Sequence, residues 1–119
     1  MTHKDLDVWK LSMGLVVDVY QLTDGLPKSE TFGLTSQVRR AVVSVPSNIA
    51  EGAARKNLKE YIQFLYVALG SISEVDTQLK LILRLGFAEI SPELLDKIEH
   101  VKKMLLNLIK VLKEKDVRR

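Results

Sequence analysis

The chain has no cysteine, three prolines, six glycines and one tryptophan in 119 residues. Without cysteine there are no disulfide staples and no thiolate metal sites, so a fold of this length must hold itself together by burial. No apolar run approaches the roughly 20 residues that cross a bilayer, so a membrane protein is not expected. Residues 1–10 are charged and lack the apolar segment of a secretory signal, which points to a cytoplasmic protein of bacterial type. A Gly-rich phosphate loop, a nucleophile elbow and the Glu-x-x-His spacing of a di-iron bundle are all missing. Neither a catalytic centre nor a cofactor or metal site is therefore expected. Glu51 and Glu74, the carboxylates of the polar flanks on the second and third helices, are read as structural rather than as an acid–base pair. No small-molecule substrate is implied.

What the chain does have is helical periodicity. With 46% hydrophobic content it can bury one core, and a single all-α domain, 1–119, is expected, with helices over about 6–23, 35–55, 58–85 and 92–114. The first helix should begin at Asp5 or Asp7 and turn Leu6, Trp9, Met13, Val16 and Tyr20 to the core, widened by Val8, Leu15, Val19 and Leu22; Trp9 reads as a core anchor, and His3 has no role. The connection after it contains Gly25, Pro27 and Gly33, with Leu26 and Phe32 expected to tuck against the bundle. The third helix is announced by the Asn57–Glu60 capping box and stopped by Gly86, with Phe87 closing a Schellman end. Its stripe runs Tyr61, Leu65, Ala68, Ile72, Val75, Leu79, Ile82. Ser91-Pro92-Glu93 opens the fourth, whose stripe is Leu94, Ile98, Val101, Leu105, Leu108, Leu112, widened by Leu95, Leu106 and Ile109. Glu99–Lys103 and Glu114–Arg118 are i,i+4 pairs on it. Short connections imply an antiparallel up-down four-helix bundle.

The second helix has no ordinary solvent face. One side is the core stripe Leu34, Val38, Ala41, Val42, Val45, Ile49, Ala53, interrupted by Pro46, where a bend is expected; Gly52 marks a weak point or a close backbone approach. A polar stripe of Gln37, Ser44, Asn48, Glu51 and Arg55 lies beside it, and on the third helix Ser71, Glu74 and Gln78 form a matching flank. Gln37, Ser44, Asn48, Glu51, Ser71, Glu74 and Gln78 are expected to form a polar network between the two helices, with Asn48 reaching Ser71 or Glu74. The third stripe, Ser36, Val43, Ser47, Ala50 and Ala54, is small-residued. One layer of neighbours cannot cover all three, so a contact with another copy of the chain is expected there.

Charge is uneven along the sequence. The chain carries +3 overall, yet residues 31–60 have five basic and two acidic groups and residues 91–119 eight and five, while the other two quarters are net acidic. Such segregation suits a polyanion. Candidate phosphate contacts are Arg39, Arg40, Arg55, Lys56 and Lys59, with Lys102, Lys103, Lys110 and Lys113 behind them; Arg39 and Arg40 are equally placed to make salt bridges between subunits.

Gln37-Val38-Arg39-Arg40-Ala41, Ser44, Asn48-Ile49-Ala50-Glu51-Gly52, Phe64-Leu65, Ala68, Gly70-Ser71 and Glu74, with Trp9, Tyr20 and Phe32-Gly33-Leu34, resemble the 23S rRNA intervening-sequence proteins, a four-helix-bundle family. The likeness spans nearly the whole chain. It implies an antiparallel bundle assembled as a homopentameric ring that binds nucleic acid. The accessory protein of diversity-generating retroelements is similar, which implies a basic pentamer engaging RNA or DNA and a reverse transcriptase. The expected function is thus a non-enzymatic oligomer that binds RNA or other nucleic acid through phosphates; the alternative is a scaffold whose main partner is a protein.

Overall fold

In the computed structural model, residues 6–118 are described; the expected start at Asp5 and His3 lie outside them. Four α-helices follow one another, α1 (Asp7–Thr23), α2 (Ser36–Ala53), α3 (Leu58–Arg84) and α4 (Pro92–Val117). α1 and α3 each pack on both α2 and α4, which closes an up-down bundle measuring 51 × 25 × 20 Å. α4 runs three residues beyond the expected Glu114. Among the described residues, no helix is long and apolar enough to cross a membrane.

The ends of α3 and α4 follow from their sequences. The Asn57 side chain accepts from Glu60 N at 2.9 Å and the Ser91 side chain from Leu94 N at 3.2 Å, each satisfying a donor that the first turn leaves unpaired. At the far end of α3, Gly86 takes φ +76°. Its N–H bonds Leu83 O at 3.1 Å while Phe87 N–H bonds Ile82 O at 3.0 Å, the paired bonds of a Schellman end. α2 starts differently: neither Thr35 nor Ser36 caps it. The Glu30 carboxylate instead accepts from Leu34 N at 3.2 Å, across a turn broken at Gly33. That turn throws Phe32 outward, 94% exposed, so Phe32 does not tuck against the bundle, although Leu26 does.

The core is built from Leu15, Val19, Val38, Val42, Val45, Ile49, Leu65, Ile72, Leu79, Ile82, Ile98 and Leu105, all fully buried. On α3 and α4 the expected stripes are largely the buried ones, with these adjustments: Ile62 is buried and Tyr61 only half-buried, Leu95 is half-buried and Leu106 exposed, and Ile109 rather than Leu108 sits at the centre. α1 is rotated from expectation. Val8, Ser12, Leu15, Val19 and Thr23 face inward, Trp9 and Val16 pack at the margin, and Met13 and Tyr20 are exposed. Two hydroxyls make this possible: Ser12 Oγ donates to Trp9 O at 2.9 Å and Thr23 Oγ1 to Val19 O at 2.7 Å, so neither polar group is buried unpaired.

α2 continues through the buried Pro46 as one helix of 18 residues. It comes into close contact with α3 at Gly52. A Cβ added there would lie 2.9 Å from Phe64 Cβ and 3.1 Å from the Tyr61 carbonyl oxygen, so the glycine is what allows the two helices to approach.

Candidate nucleic-acid interface

The fold brings together the two basic segments that the sequence separates. Arg55-Lys56 follow the end of α2, and α3 carries Lys59 in its first turn. α4 runs antiparallel to α3, which places its C-terminal half beside the start of α3: Lys113 Nζ lies 5.0 Å from the centre of the Tyr66 ring, and Arg55 stacks on Phe64 at 4.7 Å. Divide the bundle across its waist, where Ser44 meets Ser71. The half containing residues 7–14, 45–71 and 103–118 carries nine Lys and Arg against five Asp and Glu; the half with residues 15–44 and 72–102 carries seven against nine. One end of the rod is therefore basic and the other acidic.

The nine cationic candidates fall into different surroundings. Lys56, Lys59, Lys103 and Lys110, together with Arg40 on the other half, are exposed and make no ion pair with a described residue. Arg55 and Lys113 are exposed as well, held over aromatic rings by cation–π attraction, with Arg55 also 2.9 Å from Glu51. Arg39 and Lys102 are committed internally. Arg39 Nε donates to Thr23 Oγ1 at 2.8 Å, its Nη2 reaches Tyr20 O and Asp24 at 3.3 and 3.0 Å, and the guanidinium lies 4.4 Å from the Tyr20 ring centre. It locks α1 to α2. Lys102 reaches across from α4 to Asp76 at 2.8 Å, where Lys80 also binds, and to Glu99 at 3.5 Å. Glu99 thus pairs with Lys102 and not with Lys103, and Glu114–Arg118 makes no ion pair. Partial burial pushes the Asp76 carboxyl up, but the hydrogen bonds and charges of Lys102 and Lys80 outweigh it and leave the group below its ordinary value; Lys102 is correspondingly raised despite its burial.

The polar seam between α2 and α3 is smaller than expected. Ser44 Oγ and Ser71 Oγ are 2.9 Å apart, and Asn48 Nδ2 donates to Ser44 O at 2.8 Å and Ser44 Oγ at 2.9 Å. Asn48 therefore joins α3 only through Ser44, not directly to Ser71 or Glu74. Glu51 turns outward to Arg55. Gln37 and Glu74 are exposed, lining with Arg40 and Gln78 a cleft of about 370 Å³, and Gln78 Oε1 is sealed from solvent with no partner. The two helices are in close contact at Gly52, while Gln37, Glu74 and Gln78 border the cleft, so only the three short side chains are joined by hydrogen bonds.

The small-residue stripe lies on the outer face of α2 next to α1. In the single chain Val43, Ser47 and Ala54 are exposed, Ser36 and Ala50 half-buried. Tyr20, under Arg39, shows that this flank of α1 adjoins them, and Met13 and Val17, on the same flank, are 45% and 55% exposed. The periodicity of α1 predicts Met13 and Tyr20 in the core, whereas both are exposed and belong to this shared apolar face. Tyr66 is absent from the expected contacts, although its place seven residues after Lys59 on one helix face is the available signal.

Comparison with known proteins agrees with this architecture. A crystal structure of a protein with unknown function from the S23 ribosomal protein family of Bacteroides thetaiotaomicron superposes with a TM-score of 0.76 at 24% identity, covering 87% of this chain and 95% of that one. At that identity the likeness speaks for the fold alone. No curated protein matches. The profile describing the 23S rRNA-intervening sequence protein matches residues 4–107, and the chain belongs to that family.

Proposed function

We propose that this protein is a non-enzymatic, self-associating helical bundle that binds RNA or other nucleic acid through backbone phosphates at its basic end. The observation that carries the reading is the convergence of Lys56 and Lys59 with Lys110 and Lys113 at one end of the rod, exposed and free of carboxylate partners. Cations that are already neutralised, as Arg39 and Lys102 are, add little to an external field; unneutralised ones attract a polyanion and release its counterions. The family name, which refers to a ribosomal RNA insertion, is consistent with such a partner. Self-association is supported by the outer face of α1 and α2, where Met13, Val17 and Val43 stand exposed around the small residues Ser47 and Ala54. The family resemblance suggests a homopentameric ring, which would repeat the basic end around an axis and multiply its field.

Salt-titrated binding to duplex and single-stranded RNA tests the first part: affinity should fall linearly on a log–log plot as salt rises, and no binding at low salt would refute it. Light scattering tests the second. A mass several times the 13.5 kDa of one chain is expected, and a monomer at micromolar concentration would refute it.

A further inference from the structure

Nucleic-acid binding through phosphates alone leaves one feature of the basic end without a purpose. Tyr66 is 40% exposed on the outer face of α3, with the Lys113 ammonium 5.0 Å from its ring centre. It shares that face with Lys59, seven residues earlier, and Gly70, four residues later. Gly70 has open space where a side chain would stand, with nothing within 4 Å of an added Cβ. Across the seam on α4, Leu106 is 52% exposed and Lys110 is exposed one turn further on. The result is an accessible phenol ring beside a bare stretch of helix, edged by three lysines.

We infer that this face of α3 and α4 is a stacking platform for single-stranded nucleic acid, with a base lying on Tyr66 and Lys59, Lys110 and Lys113 meeting the flanking phosphates. The inference rests on the phosphate-binding reading above and specifies its substrate. Aromatic rings interleaved with cations are what an unpaired strand needs, since every base has a π-face to offer while the bases of a duplex are stacked on one another. Gly70 matters because a side chain in its place would stand beside the ring where the base must slide in. Lys113 loses nothing in the exchange: a base arriving on the ring displaces its ammonium from a weak cation–π contact to a phosphate.

The test compares three labelled probes by fluorescence anisotropy at low salt: a short oligouridylate, a base-free ribose-phosphate strand of equal charge, and an RNA duplex. Wild-type protein should bind the oligouridylate more tightly than the base-free strand. Tyr66→Ala should weaken oligouridylate binding by about 5- to 150-fold, the factor associated with losing one stacked base, and leave the base-free strand unchanged. Tyr66→Phe should restore it, because stacking needs the ring and not the hydroxyl. Oligouridylate binding by Tyr66→Ala within about twofold of wild type, or equal affinity of wild type for both strands, would overturn the platform while leaving phosphate binding in place. Failure of wild type to bind any of the three would instead refute the phosphate reading itself. Tyr66 lies outside the core, so the variants are expected to fold, and unchanged far-UV circular dichroism checks that.

Discussion

Replacing the helical glycines one at a time by alanine gives three results of different sign. In a helix interior alanine is favoured over glycine by about 1 kcal/mol, and Gly14 and Gly70 have nothing within 4 Å of an added Cβ. Both substitutions should therefore stabilise the fold by close to that amount, raising Tm by about 4 °C for a domain of this size. Gly52→Ala starts with the same advantage and loses it. Its Cβ would meet Phe64 Cβ at 2.9 Å, Tyr61 Cδ1 at 3.0 Å and the Tyr61 carbonyl oxygen at 3.1 Å, where ordinary carbon contacts are about 3.5–4.0 Å. None of these can move aside by a rotamer change that frees the Cβ of Phe64 or the backbone of Tyr61, so α2 and α3 must part. Parting strains the Ser44–Ser71 contact two turns away and loosens core packing along the seam. With overpacking at about 1–3 kcal/mol set against the propensity gain of about 1 kcal/mol, the net loss is up to about 2 kcal/mol and Tm should fall by up to about 8 °C. Thermal melts followed by circular dichroism at one fixed protein concentration read all three. A rise in Tm for Gly52→Ala matching those of Gly14→Ala and Gly70→Ala would refute the claim that this glycine sets the α2–α3 distance, and with it the placing of Arg55, Lys56 and Lys59.

Arg39→Ala should cost about 1–3 kcal/mol in chemical denaturation, mostly from the half-buried bond to Thr23 and not from the exposed contacts to Tyr20 O and Asp24, with nucleic-acid affinity nearly unchanged; a larger effect on binding than on stability would contradict its assignment as a clamp. Asp76 is held below its ordinary value of 3.8 in the fold, so its contribution is present above that pH and is lost as pH falls through the lower folded value. Lys102 is raised above 10.5, so its contribution holds below that pH and is lost only as pH rises through the higher folded value. Asp76→Asn should therefore lower stability at neutral pH and flatten both limbs of the stability–pH curve, and an unaltered curve would show that the pair contributes nothing. Ser91→Ala, which removes the α4 N-cap, should cost about 1 kcal/mol in the same melts, and no loss would mean that the cap is not made in solution.

Much of the fold was legible because local signals and burial agree. Asn57, Gly86 and Ser91 each act on their own few residues, and the stripes of α3 and α4 need no knowledge of what they pack against. α1 misled for a physical reason: Ser12 and Thr23 look like surface residues but return their hydroxyls to carbonyls of their own helix, so the buried face contains two polar side chains and the exposed flank contains Met13, Val17 and Tyr20. Phe32 was misplaced because its orientation depends on a turn set by Glu30 and Gly33. The charged site was legible only by segment. Lys102 and Lys103 are neighbours in sequence, yet the 100° between them turns one onto Asp76 and the other to solvent. Likewise, nothing local tells that Arg39 finds Thr23 and Asp24 at the end of the preceding helix while Arg40 finds no ion-pair partner among the described residues.

The central claim is that the basic end of the rod, and not its net charge, binds nucleic acid. Reversing two exposed cations at each end that make no ion pair with a described residue separates these while changing net charge equally: Lys56→Glu with Lys59→Glu at the basic end, Lys28→Glu with Arg84→Glu at the other. RNA binding measured against salt concentration should collapse in the first pair, with a shallower salt slope for whatever affinity remains, and stay close to wild type in the second. Equal losses in the two pairs would contradict the account.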